Sequence, residues 1–210
     1  MLKKILVLSF LFCLPVIAMA HPGRTDSSGG HHCYTDCELY GLKSGEYHYH
    51  DADKNPIFTW DNNKDLYDHS MADRLSGQIL LQVQEHGEAW YINNKDKQRY
   101  YMKDGAAAYY MMRYFSLGIS DTDLNSIPAV ADTTEMNEST SICGQNNLAN
   151  RLKGEILLQV EQHGEAWYVD PVKCRRIYMK DGAVAYEIMR FLGLGINNSD
   201  LEQIPVGLIE

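Results

Sequence analysis

The alternation of apolar and polar residues predicts two copies of the same β-hairpin. Ile79, Leu81 and Val83 alternate with neighbours of mixed polarity, which is the period of a strand with one face better buried than the other. A glycine-containing turn and the apolar residues 89–92 then predict a second strand, and residues 99–102 predict a third. The same pattern begins again at residues 156–160.

An apolar stripe follows the third strand in each copy. Four apolar residues recur at three- and four-residue spacing between positions 108 and 115, so one helix face can cover the open side of a three-stranded sheet. Asp104 is a suitable N-cap for a helix from about residue 105 to residue 116. The equivalent helix is expected within residues 181–193.

Two further features complete each predicted module. Gly118 and Gly195 suit the end of the preceding helix. A second short helix is predicted to begin at Ser120 or Asn197 and to stop before the prolines at positions 128 and 205. Each module is therefore expected to contain two or three strands followed by two helices.

The two copies form an internal repeat. Displacement of the chain by 77 positions aligns residues 74–128 with residues 151–205 without a gap, and 32 of the 55 aligned pairs are identical. Such self-similarity indicates two copies of one supersecondary unit, which either stack on each other or lie apart. The predicted fold class is α+β, with a small His/Cys-rich N-terminal unit followed by the two tandem modules.

The expected organisation of the chain follows from these patterns and from composition. Residues 129–141 are rich in Thr, Ser, Asn, Asp and Glu without an apolar period, which is typical of a linker. The predicted parts are a signal peptide (1–20), the His/Cys-rich unit (21–50), a linker (51–70), the first module (71–128), a second linker (129–146) and the second module (147–210).

The first 20 residues have the pattern of a secretory signal. Two lysines precede an apolar run, and Ala18-Met19-Ala20 has the form of a cleavage site. His21 is then the expected mature N-terminus. The apolar run is short and contains Pro15, so no transmembrane anchor is expected after cleavage, and the protein is predicted to be secreted or periplasmic.

Charge and cysteine content narrow the function classes. The net charge is −9 and no Lys/Arg cluster lies outside the signal, which argues against nucleic acid as a partner. Four cysteines remain in the mature chain, and an even number in an oxidising compartment predicts two disulfides. Cys143 and Cys174 have no cysteine counterparts in the first copy, so they predict a disulfide specific to the second, which leaves Cys33 and Cys37 as the other pair.

Five of the eight histidines lie within residues 21–50. His48 and His50 are separated by one residue, so on a strand their imidazoles share a face. The five glycines between positions 23 and 45 let the chain turn back, so that His31 and either His21 or Asp26 complete a four-ligand shell around zinc.

This segment also carries a recognisable motif. The pattern His-x-Gly-x-x-Asp-x-x-Gly-x-His, followed by Gly-x-Tyr-His-x-His, is met by His21, Gly23, Asp26, Gly29, His31, Gly45, Tyr47, His48 and His50. On these residues, positions 21–50 resemble the bacterial YHYH-type domain, which implies a compact His-rich unit of exported proteins. Cys33 and Cys37 fit a longer variant with an inserted Cys-x-x-x-Cys turn. The two modules are similar to repeats with an HGEAWYV-like core in exported bacterial proteins, and this similarity implies no function.

Two other metal sites are possible within the same segment. Reduced Cys33 and Cys37 would form a Cys₂His₂ zinc set with His48 and His50, although an exported location favours their oxidation. The amine and imidazole of an N-terminal His21 would favour copper if a further histidine joined them. Zinc is the default metal.

The modules contain candidate sites of their own. His86 and His163 lie beside Glu88 and Glu165, either as a duplicated acid/base or metal site or as solvated turn residues. The Trp-Tyr pairs either form stacking platforms for glycans or pack in the sheets. These candidate platform residues are Trp90, Tyr91, Trp167 and Tyr168, with Tyr101 and Tyr178 nearby.

Three functions are therefore in competition. The favoured one is a non-enzymatic exported metal-binding protein whose two modules contact the cell wall, a glycan or a protein partner. The second is a metal-dependent hydrolase in which His31, His48 and His50 hold zinc and Asp26 or Glu46 acts as the base. The third is a structural surface protein without a ligand.

Overall fold

The computed structural model describes residues 24–52 and 54–209, so the predicted signal peptide and His21 lie outside the described residues. Within those ranges the fold is α+β, as predicted, with eight α-helices and sheets of three, four and five strands. None of the helices in these ranges is both long enough and apolar enough to span a bilayer.

The N-terminal unit is an antiparallel sheet of three strands. Its strands are β1 (His31–His32), β2 (Tyr47–His50) and β3 (Pro56–Phe58), with β2 in the centre. A short 3-10 helix, Cys37–Tyr40, lies between β1 and β2. The Cys33–Cys37 disulfide joins the residue after β1 to the first residue of this helix, so the pairing expected from the sequence is present.

The stretch 54–70 of the expected first linker forms regular structure. It contains β3, α1 (Trp60–Asn63) and the start of α2 (His69–Arg74). Trp60 packs against apolar residues of the first module, and its indole Nε1 donates to the Asp96 carbonyl at 3.0 Å. This segment therefore fixes the N-terminal unit on the first module.

The first module has the three strands and two helices that were predicted, and an additional strand, which was not predicted, lies between the helices. Its elements are β4 (Ile79–Gln82), β5 (Ala89–Ile92), β6 (Arg99–Met102), α3 (Gly105–Tyr114), β7 (Leu117–Ile119) and α4 (Asp121–Asn125). Both predicted caps are present: Asp104 accepts from the Ala107 amide, and Ser120 accepts from the Asp123 amide.

The segment expected as the second linker is also structured. It forms β8 (Ala129–Val130) and α5 (Thr133–Glu138), and Asp132 caps the helix. Val130 and Met136 are buried in the central core. Two isolated apolar residues among polar ones give no periodic signal, which explains why the sequence pattern indicated a linker.

The second module repeats the elements of the first. They are α6 (Asn147–Arg151), β9 (Ile156–Gln159), β10 (Ala166–Val169), β11 (Arg176–Met179), α7 (Gly182–Leu192), β12 (Leu194–Ile196) and α8 (Asn198–Leu201). Asp181 caps α7 and Asn197 caps α8, as the sequence predicted.

The two modules exchange their last strand. β7 of the first copy pairs in parallel with β9 of the second, and β12 of the second copy pairs in parallel with β4 of the first. The sheets therefore have the orders β12-β4-β5-β6 and β7-β9-β10-β11-β8. The two copies are therefore interlocked: they neither lie apart nor simply stack on each other.

This exchange corrects the role predicted for two glycines. Gly118 and Gly195 lie inside β7 and β12 and do not end the preceding helices. A Cβ added at Gly118 would lie 3.0 Å from the Val160 side chain, and one at Gly195 would lie 3.0 Å from that of Val83. The glycines thus allow the exchanged strands to lie close to the opposite copy.

The exchange also buries both faces of the sheets. Ile79 belongs to the central core shared by α3 and α7, whereas Leu80 packs on the other face with Ile196 and Leu201 of the second copy. The expectation that one face of this strand is better buried is therefore wrong for its first two residues. Val83 and Gln84, at the end of the pattern, are exposed.

A pseudo-twofold relation joins the copies at two glycines. A Cβ on Gly77 would lie 2.5 Å from the Cα of Gly154, and both residues have φ of +75°. The Tyr91 hydroxyl donates to the Gly154 carbonyl and the Tyr168 hydroxyl donates to the Gly77 carbonyl, each at 2.9 Å. These reciprocal bonds require close backbone approach at the centre of the molecule.

Gly154→Ala tests that requirement. The added methyl group meets backbone and must adopt a positive φ, so we expect the free energy of unfolding to fall by about 2–4 kcal/mol. Urea denaturation measures this free energy of unfolding. Gly144→Ala is the control, because a Cβ there meets nothing within 4 Å; equal effects of the two substitutions would show that the glycine contact is not a constraint.

The predicted Cys143–Cys174 disulfide is present and closes a loop with a sequence separation of 31. Replacement of both cysteines by serine is expected to lower the free energy of unfolding by about 3–4 kcal/mol, since a loop of this length gains much entropy when it opens. The same replacement of Cys33 and Cys37, whose separation is 4, should cost less. Denaturation of both variants compares them, and the reverse order would contradict this account.

Candidate metal centre

Two strands of the N-terminal sheet place three histidines on one face. His31 in β1 lies directly opposite His48 in β2, and His50 follows two residues later on the same strand. Side chains that are opposite each other, or two apart on one strand, share a face. The sheet register therefore brings together the histidines that the motif separates by 17 residues and more.

The three imidazoles form a compact group. One ligand atom from each of His31, His48 and His50 lies within 4.8 Å of the others, and the Nε2 atoms of His31 and His50 are 2.9 Å apart. Nitrogens bound to one tetrahedral zinc at about 2.0–2.1 Å lie roughly 3.3 Å apart. The observed spacing brackets this separation, so the donor set fits a transition-metal ion.

Backbone carbonyls orient two of the rings. His50 Nδ1 lies 2.8 Å from the Lys54 carbonyl oxygen, and His48 Nδ1 lies 3.4 Å from that of Glu46. Because a carbonyl only accepts, these contacts place the proton of each neutral ring on Nδ1 and leave Nε2 as an electron-pair donor. A neutral nitrogen in this orientation is what a metal ion requires.

Asn63 bonds to the backbone of the central strand from the side. Its Oδ1 accepts from the Tyr47 amide and its Nδ2 donates to the Tyr47 carbonyl, both at 2.6 Å, while Nδ2 also donates to the Thr59 carbonyl. This amide replaces a neighbouring strand next to His48. Asn63 was not predicted as a functional residue, because a single Asn in a polar segment carries no pattern.

Asp26 does not join the histidine group. Its carboxylate accepts from the Tyr47 hydroxyl at 2.9 Å and from the Ser28 amide at 2.8 Å, and the bond from Tyr47 is the main cause that lowers its pKa. It holds the turn that leads into β1. The other expected ligand, His21, lies outside the described residues.

Glu46 is also engaged elsewhere. Its buried carboxylate accepts from the Lys43 amide at 2.9 Å and from the Tyr67 hydroxyl. Burial raises the pKa of Glu46, although both bonds oppose that shift. The second hydrogen bond ties this carboxylate to the segment 51–70.

The alternative Cys₂His₂ set is excluded by the disulfide. Cys33 and Cys37 are bonded to each other, and a disulfide sulfur does not provide the thiolate that a zinc site needs. The oxidised pair instead closes the loop between β1 and β2.

The candidate platform residues separate into buried and exposed ones. Tyr91 and Tyr168 are buried in the central core, which rules them out as ligand platforms. Trp90 and Trp167 are half-buried, and the rings of Tyr101 and Tyr178 lie against them with ring centroids 5.1 and 5.0 Å apart. Among these six residues, only Tyr101 and Tyr178 are exposed.

His86 and His163 are exposed turn residues, and each pairs with the glutamate two positions later at 3.4 Å. Neither belongs to the metal-binding group found among the described residues. Comparisons with protein-family models, curated proteins and solved structures found no match to this chain.

Asn63→Ala tests the support of the central strand. Loss of its side chain leaves the buried amide and carbonyl of Tyr47 without those bonds, so we expect stability to fall by about 1–3 kcal/mol and the Tyr47 amide to exchange faster with deuterium. Asn62→Ala is the matched control, because Asn62 is exposed and bonds only locally with Thr59. Unchanged exchange at Tyr47 would contradict the role of Asn63.

Proposed function

We propose that this chain is an exported metal-binding protein whose N-terminal sheet holds one zinc ion and whose interlocked modules contact the cell wall, a glycan or a protein partner. The observation that carries the metal-binding part is the group of three imidazoles within 4.8 Å on one sheet face. Chance placement of three histidines on a surface seldom gives convergent nitrogens.

Zinc is the metal that this donor set favours. Three neutral imidazoles match its preference for nitrogen in a four-coordinate shell and leave a position for a further donor. His21, as the expected mature N-terminus, is the candidate for that position. A site that used the amine of His21 as well would favour copper, and metal analysis distinguishes the two.

Binding is favoured over hydrolysis by the state of the two carboxylates. A metal-dependent hydrolase needs a base that is available to activate water. Asp26 and Glu46 were the candidates, and each accepts hydrogen bonds from a tyrosine hydroxyl and from a backbone amide. A bound zinc ion would therefore have a structural or sequestering role.

Export is supported by two independent features. The N-terminal pattern has the form of a cleaved signal. The four cysteines that follow it form two disulfides, which persist in oxidising compartments. The YHYH-type resemblance agrees with both features.

Elemental analysis of the mature protein, purified from the export compartment, tests the metal site. We expect one zinc per chain in the natural protein and less than a tenth of that in His50→Ala, since two imidazoles hold zinc far more weakly than three. N-terminal sequencing of the same sample tests cleavage before His21.

His32→Ala is the matched control. His32 is the neighbour of His31, but it is exposed and bonds to the Gly45 carbonyl outside the group. Its substitution should leave the zinc content unchanged. A natural protein without stoichiometric metal would refute the metal-binding part of the proposal, and equal metal in both variants would refute the ligand assignment.

A further inference from the structure

A cleft in the interlocked modules contains residues of both copies. Its volume is about 210 Å³, and it lies between the His86 turn of the first copy and helix α7 of the second. The lining side chains with polar or aromatic chemistry are His86, Glu88, Tyr101, Lys103, Tyr186 and Arg190. We name this the His86 cleft.

Every residue that lines the His86 cleft is identical to its counterpart 77 positions away, although 23 of the 55 aligned positions differ. Burial explains this identity for Ala89, Met102 and Met189. It does not explain it for Lys103 and Arg190, which are exposed. Lys103 and Arg190 border the same cleft, so their identity in both copies makes this cleft a candidate for a ligand that the two copies share.

The opposite turn of the same sheet shows the contrast. Residues 92–98 differ from residues 169–175 at every position, so the hairpin tolerates change where it does not border the cleft. Sequence identity between the copies is therefore retained on the side of the hairpin that borders the cleft and lost at the opposite turn.

The counterpart surface is built in the same way. Arg113 of α3 donates to the Gly164 carbonyl at 2.7 Å, and the His163–Glu165 pair has the same 3.4 Å spacing as His86–Glu88. In the His86 cleft, Arg190 Nη1 lies 3.3 Å from the position of a Cβ on Gly87. In both places an arginine of one copy reaches the His-Gly-Glu turn of the other.

The side chains of the cleft favour a ligand that carries a negative charge, hydroxyl groups and a ring. Lys103 and Arg190 provide two cations in a protein of net charge −9, which favours an anionic group. Glu88 accepts hydrogen bonds, and bonds from its own backbone and that of His86 lower its pKa, so it is an ionised acceptor for hydroxyl groups. Tyr101 and Tyr186 are 44% and 49% exposed and offer ring faces.

We propose that the His86 cleft and its counterpart beside His163 each bind the carboxylate-bearing ring of an acidic sugar. The carboxylate contacts Arg190 and Lys103, the ring hydroxyls donate to Glu88, and the sugar ring lies on a tyrosine. Inorganic phosphate has no ring to lie on a tyrosine and brings more negative charge towards Glu88 than a single carboxylate does. The small volume suits one ring rather than a larger ligand.

This inference names the partner class of the proposed interaction modules and rests on that part of the proposed function, and it is independent of the metal. Titration of the ¹⁵N-labelled mature protein with glucuronate, followed by NMR, tests it. We expect saturable shifts at the amides of Gly87 and Lys103 and at those of Gly164 and Lys180. Glucose, the neutral counterpart, should bind at least about tenfold more weakly, because it lacks the charged partner for the cations.

Two variants make the test specific for each site. Lys103→Gln should weaken binding about tenfold at the first set of amides only, and Lys180→Gln at the second set only. Arg74→Gln is the control, because Arg74 is exposed and lies outside the cleft. Thermal denaturation confirms that the variants fold.

Several outcomes would overturn the proposal: no saturable shift, equal binding of glucose, unchanged affinity in both lysine variants, shifts at one site only, or phosphate binding as tight as that of glucuronate. Co-sedimentation of the natural protein with insoluble bacterial cell-wall glycan separates this result from the broader proposal. Co-sedimentation without glucuronate shifts would leave the modules as wall-binding units and refute the cleft.

Discussion

The backbone pairing between the two copies is the constraint on which the rest of the structure depends. Strands β7 and β12 each complete a sheet whose other strands belong mainly to the opposite copy. Neither copy has its full set of strand partners without the other, and unpaired buried backbone groups are costly. The exchange therefore converts two short modules, each too small for a large core of its own, into one unit with a shared core between α3 and α7.

The strand exchange also explains where the binding cleft of the modules lies. The His86 turn would be an ordinary hairpin if the copies lay apart, and it becomes part of a cleft only because α7 of the second copy lies beside it. The same geometry buries Tyr91 and Tyr168, whose hydroxyls bond across the pseudo-twofold axis. Tyrosines that are alike in sequence thus have different roles: Tyr91 is buried and structural, whereas Tyr101 is exposed at the cleft.

The N-terminal site depends on a different kind of support. A three-stranded sheet of nine residues has little core of its own. It is held in place by the Cys33–Cys37 disulfide, by the bonds of Asn63 to the central strand and by the contact of Trp60 with the first module. These contacts hold the backbone that sets the spacing of the three imidazoles. A preorganised group of this kind would bind an ion without the entropy cost of gathering its ligands.

The sequence by itself determined the local features of this protein: the three strands of each module, the caps at Asp104 and Ser120, the two cysteine pairs and the shared face of His48 and His50. These follow from period, capping chemistry and composition, all of which act within a few residues. It did not determine the exchange of β7 and β12, the burial of both sheet faces, the order in residues 129–138, or the absence of Asp26 from the histidine group. Each of these is decided by a partner distant in sequence, because a strand's pattern records that it needs a neighbour and does not record which copy supplies it.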